Sequence, residues 1–466
     1  MSQVGQRERQ TQKRIVQLFQ QQLGYRYLGN WEDRANNSNI ETAILRAYLK
    51  KQGYSDTLIR KALYELNKVA GDQSKSLYDL NKAVYGLLRY GVQVKEEVGE
   101  NTQTVWLINW NDPLANDFAI AEEVTVKGEH SKRPDVVLYV NGIAVGVLEL
   151  KRSIVSVSEG IRQNLDNQKS LFIKSFFAPV QLIMAGNDTE GLRYGTTETA
   201  EKYYLTWKEA NEIENLLDRH LSQLCQKERL LELVHDYIVF DRGEKKICRH
   251  NQYFAVRAAQ EYLRRREGGI IWNTQGSGKS LIMVWLTKWI REHIPDARVL
   301  IITDRDELDK QIEKVFKGVN EEIYRTRSGQ DLIEKLDATT PWLLCSLIHK
   351  FGQKGQAGDE ADYESYIAEL KRSLPKGFKA KGNLYIFVDE CHRTQSGKLH
   401  EAVKEILPNA LLVGYTGTPL LKKDKRKSIE IFGAYIHTYK FDEAVLDKVV
   451  LDLRYEARKI DQDIRS

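Results

Sequence analysis

Apolar and polar residues follow two successive patterns along the chain. The first quarter has a helical pattern, and one helix is predicted between Ser38, which opens a capping-box pattern with Glu41, and Gly53. From about residue 119, short apolar runs on both sides of a helical stretch predict strands and a small α/β domain. Residues 198–245 are charged and are predicted to form a helical connector.

A second pattern begins near His250. Apolar runs alternate there with amphipathic or charged stretches, and the runs are GIIW, RVLIIT, WLLCSL, LYIFVDE and ALLVGYTG. This alternation is typical of a parallel sheet with crossover helices. The sequence therefore predicts an α/β protein with two different α/β parts.

The composition excludes few classes of globular protein. The 466 residues suffice for about two to four domains, and 42% hydrophobic with 29% charged residues is ordinary for a globular protein. We expect neither a membrane span nor a secretion signal, because no apolar run is long enough. Four cysteines without C-x-x-C spacing favour a reducing, cytoplasmic compartment and argue against structural zinc. The net charge of +5 is compatible with nucleic-acid binding without indicating it.

The segment GIIWNTQGSGKSLIMVWL has the pattern of a phosphate-binding loop between a buried strand and a helix. Glycines let the backbone N–H groups converge on phosphate oxygens, and the helix N-terminus adds its dipole. Lys279 is expected to reach the β- and γ-phosphates of ATP, and the Ser280 hydroxyl to bind Mg²⁺. The expected phosphate-lining residues are Thr274, Gly276, Ser277 and Gly278.

One position departs from the usual loop pattern. Asn273 stands where its first glycine is expected, and Gly276 compensates, so that the context favours a nucleotide site over a chance match. We expect Lys279→Ala to weaken ATP binding without unfolding the domain, because we place Lys279 in a solvated loop.

An acidic pair follows the strand LYIFV. Asp389 and Glu390 end this strand at the edge where a parallel sheet forms its ligand crevice. Such a pair alone is more often a helix cap. Downstream of a phosphate loop, Asp389 is expected to hold Mg²⁺ through water and Glu390 to polarise the attacking water.

The segment RPDVVLYVNGIAVGVLELKR predicts a hairpin around an Asn-Gly turn. Glu149 and Lys151 are two residues apart and share one strand face. With a two-residue turn, however, Asp135 would face Leu148 and Glu149 would point to the other face. We therefore predict a bulge or other irregularity, for which Gly142 and Gly146 are the available glycines.

Charged residues at the ends of apolar strands suggest a catalytic or metal-binding site. Asp135 and Glu149 could together hold Mg²⁺ against a scissile phosphate. Lys151 could orient or deprotonate the attacking water, or stabilise the developing charge. The alternative is an edge hairpin with solvated ends, and the apolar flanks and the nucleotide-site motifs downstream favour the catalytic interpretation.

The second part resembles superfamily 2 helicases, whose lobes are RecA-like. Asp389-Glu390-Cys391-His392 is similar to their DEAD/DExH box. Thr416, Gly417 and Thr418 resemble the motif that couples the nucleotide site to nucleic acid. Gln252 stands where such motors read adenine, and a surface glutamine is the alternative. The segment TDRDELDKQ resembles a DNA-contacting motif, with Arg305 and Gln311 as candidate contacts.

The first part resembles the PD-(D/E)xK nucleases, through Pro134-Asp135 and Glu149-Leu150-Lys151. Many such nucleases carry Q-x-x-x-Y on the helix after the lysine, which implies Gln163 as a further candidate, with Asn167 in the place of the tyrosine. Such a domain ahead of a superfamily 2 motor resembles the R (motor and endonuclease) subunit of type I restriction enzymes. TQGSGKS, VDECHR, GYTGTPL, LELKR and AGNDTEGLRYGT agree with that subunit. The resemblance implies a nuclease domain with connector at 1–230 and a first RecA-like lobe at 231–466. Without the second lobe and its arginine finger, we expect a fragment with negligible ATP hydrolysis.

The same resemblance implies an assembly. Such a subunit binds double-stranded DNA, joins methyltransferase (M) and specificity (S) subunits, and uses ATP and Mg²⁺ to cut unmethylated foreign DNA away from the recognition site. Another motor-nuclease, of type III restriction or DNA repair, is one alternative, in which the nuclease domain usually stands elsewhere in the chain. A nucleotide-responsive DNA-binding module without cleavage is the other.

Overall fold

A computed structural model of the chain describes residues 3–97, 99–303, 306–319, 321–347, 367–391, 403–418, 429–430 and 432–451. The chain divides into two compact units, Met1–Tyr253 and Phe254–Ser466. The division of the chain at residue 230 into two functional domains stays a prediction.

The first unit is built on a six-stranded mixed sheet with the order β1-β4-β5-β6-β7-β8. Its middle strands β4, β5 and β6 are antiparallel, whereas β6 pairs with β7 in parallel. Two small sheets, β2-β3 and β10-β9, accompany it. The strands are β1 (Arg26–Asn30), β2 (Val92–Val94), β3 (Gln103–Val105), β4 (Phe118–Glu122), β5 (Val136–Val140), β6 (Ile143–Leu150), β7 (Leu182–Asn187), β8 (Gly191–Gly195), β9 (Ile238–Asp241) and β10 (Glu244–Ile247).

Helices precede, interrupt and follow the strands of this sheet along the chain, and the last of them, α8, continues into the second unit. They are α1 (Gln3–Gln21), α2 (Thr42–Lys51), α3 (Asp56–Ala70), α4 (Leu77–Tyr90), α5 (Val157–Asn167), α6 (Leu216–Leu224), α7 (Lys227–Asp236) and α8 (His250–Arg264). Every residue of β5 and β6 is buried, as expected for central strands covered on both faces. An aromatic cluster that includes Trp31, Tyr139 and Phe177 forms part of the core against this sheet.

The second unit contains a parallel sheet of seven described strands in the order β13-β14-β12-β15-β16-β11-β17. The strands are β11 (Gly269–Asn273), β12 (Ala297–Thr303), β13 (Tyr324–Arg325), β14 (Leu343–Leu347), β15 (Asn383–Val388), β16 (Leu411–Thr416) and β17 (Tyr435–Tyr439). The helices with described bounds are α9 (Lys279–His293), α10 (Asp306–Gly318), α11 (Gly329–Asp337) and α12 (Phe441–Leu446). Since β15, β16 and β11 are neighbours, the segments that follow them lie at one edge of the sheet.

Most of the predicted elements are confirmed. The first quarter is largely helical, with α2 ending before Gly53, whose φ of 87° suits a residue that stops a helix. The predicted start of α2 is wrong: the helix begins at Thr42 with Glu41 as its N-cap, and the Ser38 hydroxyl accepts the Ile40 N–H instead. Each apolar run of the second pattern forms a strand of the parallel sheet. The prediction of a helical connector at 198–245 is wrong in part. That segment contains α6 and α7, but it ends in the hairpin β9–β10, which turns at Arg242 and Gly243, both at positive φ.

Candidate nuclease and nucleotide sites

The hairpin β5–β6 turns at Asn141 and Gly142, both of which have positive φ, 52° and 83°. Two such residues make the tight turn that suits the twist of antiparallel strands. A Cβ at Gly142 would lie 2.9 Å from the carbonyl oxygen of Glu41, so that this position requires glycine.

The predicted irregularity is present in β6. Tyr139 pairs with Ala144 but Leu138 pairs with Gly146, so Val145 is an extra residue on the second strand. Beyond this bulge Val136 pairs with Leu148, and the same register brings Asp135 opposite Glu149. The extra residue moves the end of β6 by one position and turns the two acids toward each other.

The two carboxyl groups are close enough for each to affect the pKa of the other. Asp135 Oδ2 accepts a hydrogen bond of 2.6 Å from the Leu150 N–H. Burial raises the pKa of Asp135 to about 6, although the Leu150 N–H and Lys151 act in the opposite direction. Burial and the charge of Asp135 raise the pKa of Glu149 well above its ordinary value. Two acids this close therefore resist carrying two negative charges.

Lys151 and Gln163 complete the constellation. The Lys151 Nζ donates to Gln163 Oε1 at 2.7 Å and lies 3.8 Å from Glu149 Oε2. The Gln163 Nε2 in turn donates to Glu149 Oε2 at 2.8 Å. Glu149 is fully buried, whereas Asp135, Lys151 and Gln163 are partly exposed. One amide side chain thus orients both the buried carboxylate and the ammonium group at the open side of the cluster.

Helix α5 approaches the strand closely because Gly160 has no side chain. A Cβ there would lie 3.1 Å from the Ala185 Cβ, 3.4 Å from the Lys151 Cγ and 3.6 Å from the Glu149 Cβ. Such distances leave no room for a larger side chain without moving its neighbours. Gly160 therefore sets the distance at which Gln163 faces the strand.

Two residues at this cluster were not among the candidates that the sequence indicated. Asn167 is 1% exposed, and its Nδ2 lies 3.5 Å from Glu149 Oε1. It is four residues after Gln163, and this spacing on one helix face was the available signal. Glu123 raises the pKa of both Asp135 and Glu149 by its charge. Glu123 follows β4 directly and itself has a positive φ of 52°, a conformation for which the sequence gives no signal.

The second unit contains the expected phosphate loop between β11 and α9. Gly276 and Gly278 have φ values of 82° and 90°, the left-handed region that glycine adopts without strain. The loop closes on itself, since both the N–H and the hydroxyl of Ser277 donate to the Thr274 carbonyl oxygen. Asn273 is the last, fully buried residue of β11 and precedes the glycine turns.

Lys279 is the first residue of α9 and is paired with both predicted acids. Its Nζ lies 2.6 Å from Glu390 Oε1 and 3.3 Å from Asp389 Oδ1. Burial lowers the pKa of Lys279, but the two carboxylates outweigh burial and hold it above its ordinary value. Burial raises the pKa of Asp389, and Lys279 partly offsets this. The expectation of a solvated Lys279 is wrong, because its side chain is only 13% exposed.

The coupling motif also lies against the loop. A Cβ at Gly417 would be 3.4 Å from the backbone nitrogen of Gln275. The Thr416 hydroxyl donates to the carbonyl oxygen of Thr418 and accepts from its N–H, at 3.0 and 3.2 Å. The strand register places Thr416 beside Trp272 of β11. Residues 416–418 therefore lie beside the loop, and their coupling role stays a prediction.

The remaining predicted site residues are Gln252, Ser280, Arg305 and Gln311. Gln252 is buried in the first unit, and its Oε1 accepts a hydrogen bond of 2.9 Å from the Arg249 N–H. Its adenine-reading role stays a prediction. Arg305 and the side chain of Gln311 lie outside the described residues, as does His392. Ser280 is the second residue of α9, partly buried.

Within the described residues, no helix combines the length and apolarity needed to cross a membrane.

Two family models together cover most of the chain. Residues 5–202 match the family described as type I restriction enzyme R protein N terminus, and residues 251–466 match the SWI2/SNF2 ATPase family. The second match indicates that the parallel-sheet unit uses nucleotide, and both agree with the predicted α/β class.

Curated relatives match across the junction of these two families. A protein of Methanocaldococcus jannaschii assigned as the type I restriction enzyme MjaIXP endonuclease subunit is 27% identical over 422 residues, 82% of this chain and 39% of that protein. The type I restriction enzyme HindI endonuclease subunit of Haemophilus influenzae is 25% identical over 425 residues, with the same shares of 82% and 39%. The chain thus spans about two fifths of the length of these relatives.

Among solved structures, a nuclease-deletion mutant of the Type ISP restriction-modification enzyme LlaGI, in complex with a DNA substrate mimic, matches with a TM-score of 0.33. It is 16% identical, over 44% of this chain and 21% of that chain.

Proposed function

This chain is a relative of the endonuclease (R) subunits of type I restriction enzymes, and we propose that it acts as the ATP-dependent, DNA-translocating endonuclease subunit of such a complex. The first unit would cut DNA with Mg²⁺, and the second would bind ATP. The observation that carries the proposal is the convergence of Asp135, Glu149 and Lys151, brought about by the bulge at Val145.

The acid pair suits a divalent cation. Asp135 and Glu149 offer carboxylate oxygens, the donors that Mg²⁺ prefers, and burial is the main cause of their raised pKa values, so that a bound cation would be a favourable counter-charge for both. These two side chains would hold the ion. A bound Mg²⁺ would supply Lewis-acid stabilisation to the phosphate being cut.

Lys151 would act on the attacking water and on the phosphate, and Gln163 would hold it in position. The Lys151 ammonium is held beside Glu149 by Gln163, and its remaining N–H groups can donate to a phosphate oxygen. As negative charge grows on that oxygen, a fixed ammonium stabilises it without reorganisation. Gln163 would act through its neighbours, by keeping both the carboxylate and the ammonium in place.

In the second unit, ATP binding would require Lys279 to change its partners. Lys279 would leave Asp389 and Glu390 for the β- and γ-phosphates, and the ion held by Ser280 and Asp389 would neutralise charge on the triphosphate. Glu390 would polarise the attacking water. Thr416, Gly417 and Thr418 would pass changes in the loop to the DNA-contacting side.

The proposal includes the partners that the relatives' names imply. A subunit of a type I restriction enzyme works with other subunits, and we propose that methyltransferase (M) and specificity (S) subunits test and read the site on double-stranded DNA. This chain would then need only contacts to the DNA backbone, which carry no sequence information.

Metal dependence tests the nuclease part. We expect the whole chain to nick supercoiled plasmid in the presence of Mg²⁺, to stop when EDTA is added, and to resume with excess Mg²⁺. The control is Glu149→Gln, purified in the same way, which removes a charge from the proposed ion site and excludes a contaminating nuclease. Nicking that persists in EDTA, or that equals the control, would contradict the proposal.

A further inference from the structure

The tight turn between β7 and β8, residues 187–190, contacts the segment that links Lys151 to helix α5. We propose that Asn187 and Glu190 of this 187–190 turn are positioning residues, which hold Lys151 against Gln163 for cleavage. The inference rests on the proposed nuclease function and extends it to residues that touch neither the phosphate nor the ion.

Three side chains of the turn bind this linking segment. Asn187 Nδ2 donates to the carbonyl oxygen of Val155 at 2.7 Å, and Thr189 Oγ1 donates to that of Ser153 at 3.1 Å. Glu190 Oε1 accepts a hydrogen bond of 2.9 Å from the N–H of Val157. The linking segment is thus fixed at successive points along its length.

The turn itself is rigid and is continuous with the catalytic strand. Asn187 Oδ1 accepts the backbone N–H groups of Thr189 and Glu190, at 3.0 and 2.6 Å. One residue earlier, the Gly186 carbonyl oxygen accepts the N–H of Lys151 at 2.9 Å. The segment from Lys151 to the start of α5 is therefore hydrogen-bonded at one end to β7 and at the other end to the turn that follows β7.

The linking segment has no regular structure of its own, since residues 152–156 belong to no helix or strand and Ile154 is 82% exposed. Hydrogen bonds from the 187–190 turn therefore hold the start of α5, while Gly160 and Ile161 pack against Ala185 of β7. Gln163 lies on α5, and its contact with Lys151 spans only 2.7 Å, so a small displacement of the helix would break it.

Glu190 also suits its place at the start of α5. Its carboxylate accepts from the first N–H of the helix, which has no partner within the helix, and its charge complements the positive end of the helix dipole. A glutamine at this position would keep the acceptor oxygen and lose only the charge.

Asp188, in the same turn, points elsewhere and supplies a matched control. It forms an ion pair with Arg14 of α1 and accepts hydrogen bonds from Thr11, at 3.2 Å, and from Asn215 at the start of α6, at 3.0 Å. Its removal should loosen these helices without releasing residues 152–157.

The test combines hydrogen exchange with nicking kinetics, both on the whole chain. We expect Asn187→Ala and Glu190→Ala to raise amide exchange at 152–157 and to lower the kcat of Mg²⁺-dependent nicking by roughly 100-fold, the effect of a catalytic group displaced by about 1 Å. The KM for plasmid should not change. Glu190→Gln should restore both readouts, whereas Asp188→Ala should lower the melting temperature and leave exchange at 152–157 and kcat unchanged.

Each outcome decides the matter. Unchanged exchange and kcat in Asn187→Ala and Glu190→Ala, or the same losses in Asp188→Ala, would overturn the inference. If the unsubstituted chain does not nick DNA at all, the nuclease proposal fails, and the exchange comparison alone then decides whether the 187–190 turn holds the segment.

Discussion

Replacing Lys151 with methionine is expected to lower the rate of Mg²⁺-dependent nicking by about 10²- to 10⁴-fold, the range for loss of a positioned proton-transferring or charge-stabilising group. Methionine keeps an unbranched stem beside Gly160, where the Lys151 Cγ would lie 3.4 Å from an added Cβ, and it removes only the ammonium. The rate is measured with saturating plasmid, so that the loss reports on cleavage and not on binding.

The control for this variant is Lys169→Met. Lys169 lies just after α5, its side chain is 64% exposed, and it pairs with Asp166 on the surface. Its replacement should leave the nicking rate unchanged. Plasmid binding should change only by the small amount expected for the loss of one surface charge. Equal rates for Lys151→Met and the unsubstituted chain would exclude the ammonium from the mechanism.

The second large effect is expected at Lys279. Lys279→Met should raise the Kd for ATP by about 10- to 100-fold, since a hydrogen bond to a charged group contributes about 1.5–3 kcal/mol. The variant also leaves Asp389 and Glu390 without the ammonium that now faces them, and their charge would then repel the triphosphate. Calorimetric titration with ATP and Mg²⁺ measures the affinity.

The structure also changes what this variant should do to stability. Asp389 has a side chain that is 5% exposed, and removing its partner leaves a buried carboxyl without a counter-charge. We therefore expect Lys279→Met to lower the melting temperature at neutral pH, in contrast to the sequence-based expectation of an unaffected fold. Lys317→Met, at an exposed lysine of α10 paired with Glu313, is the control for both readouts. Unchanged ATP affinity in Lys279→Met would contradict the assigned role.

The sequence predicted an irregularity in the hairpin, but not its position. Strand alternation alone puts Asp135 and Glu149 on opposite faces, and this conflict with the proposed chemistry led to the prediction of a bulge. The sequence could not say which residue would be extra. That residue is Val145, next to Gly146, and its selection depends on pairing with β5 that only the folded sheet shows.

Local signals were sufficient where neighbours in the chain are also neighbours in space. The phosphate loop, with Gly276 and Gly278 at positive φ before α9, is such a case. The hairpin β9–β10 was missed because its second strand, EKKI, is charged and reads as part of a helix. Its Lys245 is buried, with Nζ donating to Asn81 and Gln181, contacts more than sixty residues away in the chain.

Contacts between distant segments account for what the site contains beyond the prediction. Lys279 was expected in solvent because its loop is rich in glycine, but β15 brings Asp389 and Glu390 against it from 110 and 111 residues away. The 187–190 turn likewise reaches the segment after Lys151 from more than thirty residues away. No periodicity or motif encodes such pairings.

The most direct measurement of the central claim is the location of Mn²⁺, as a stand-in for Mg²⁺, by anomalous scattering from crystals of the whole chain. Carboxylate oxygens suit both ions. The account predicts one strong peak bound by oxygens of both Asp135 and Glu149, and its loss in crystals of Glu149→Gln. A peak held by only one of these carboxylates, or crystals that hold Mn²⁺ elsewhere and none at this pair, would contradict it.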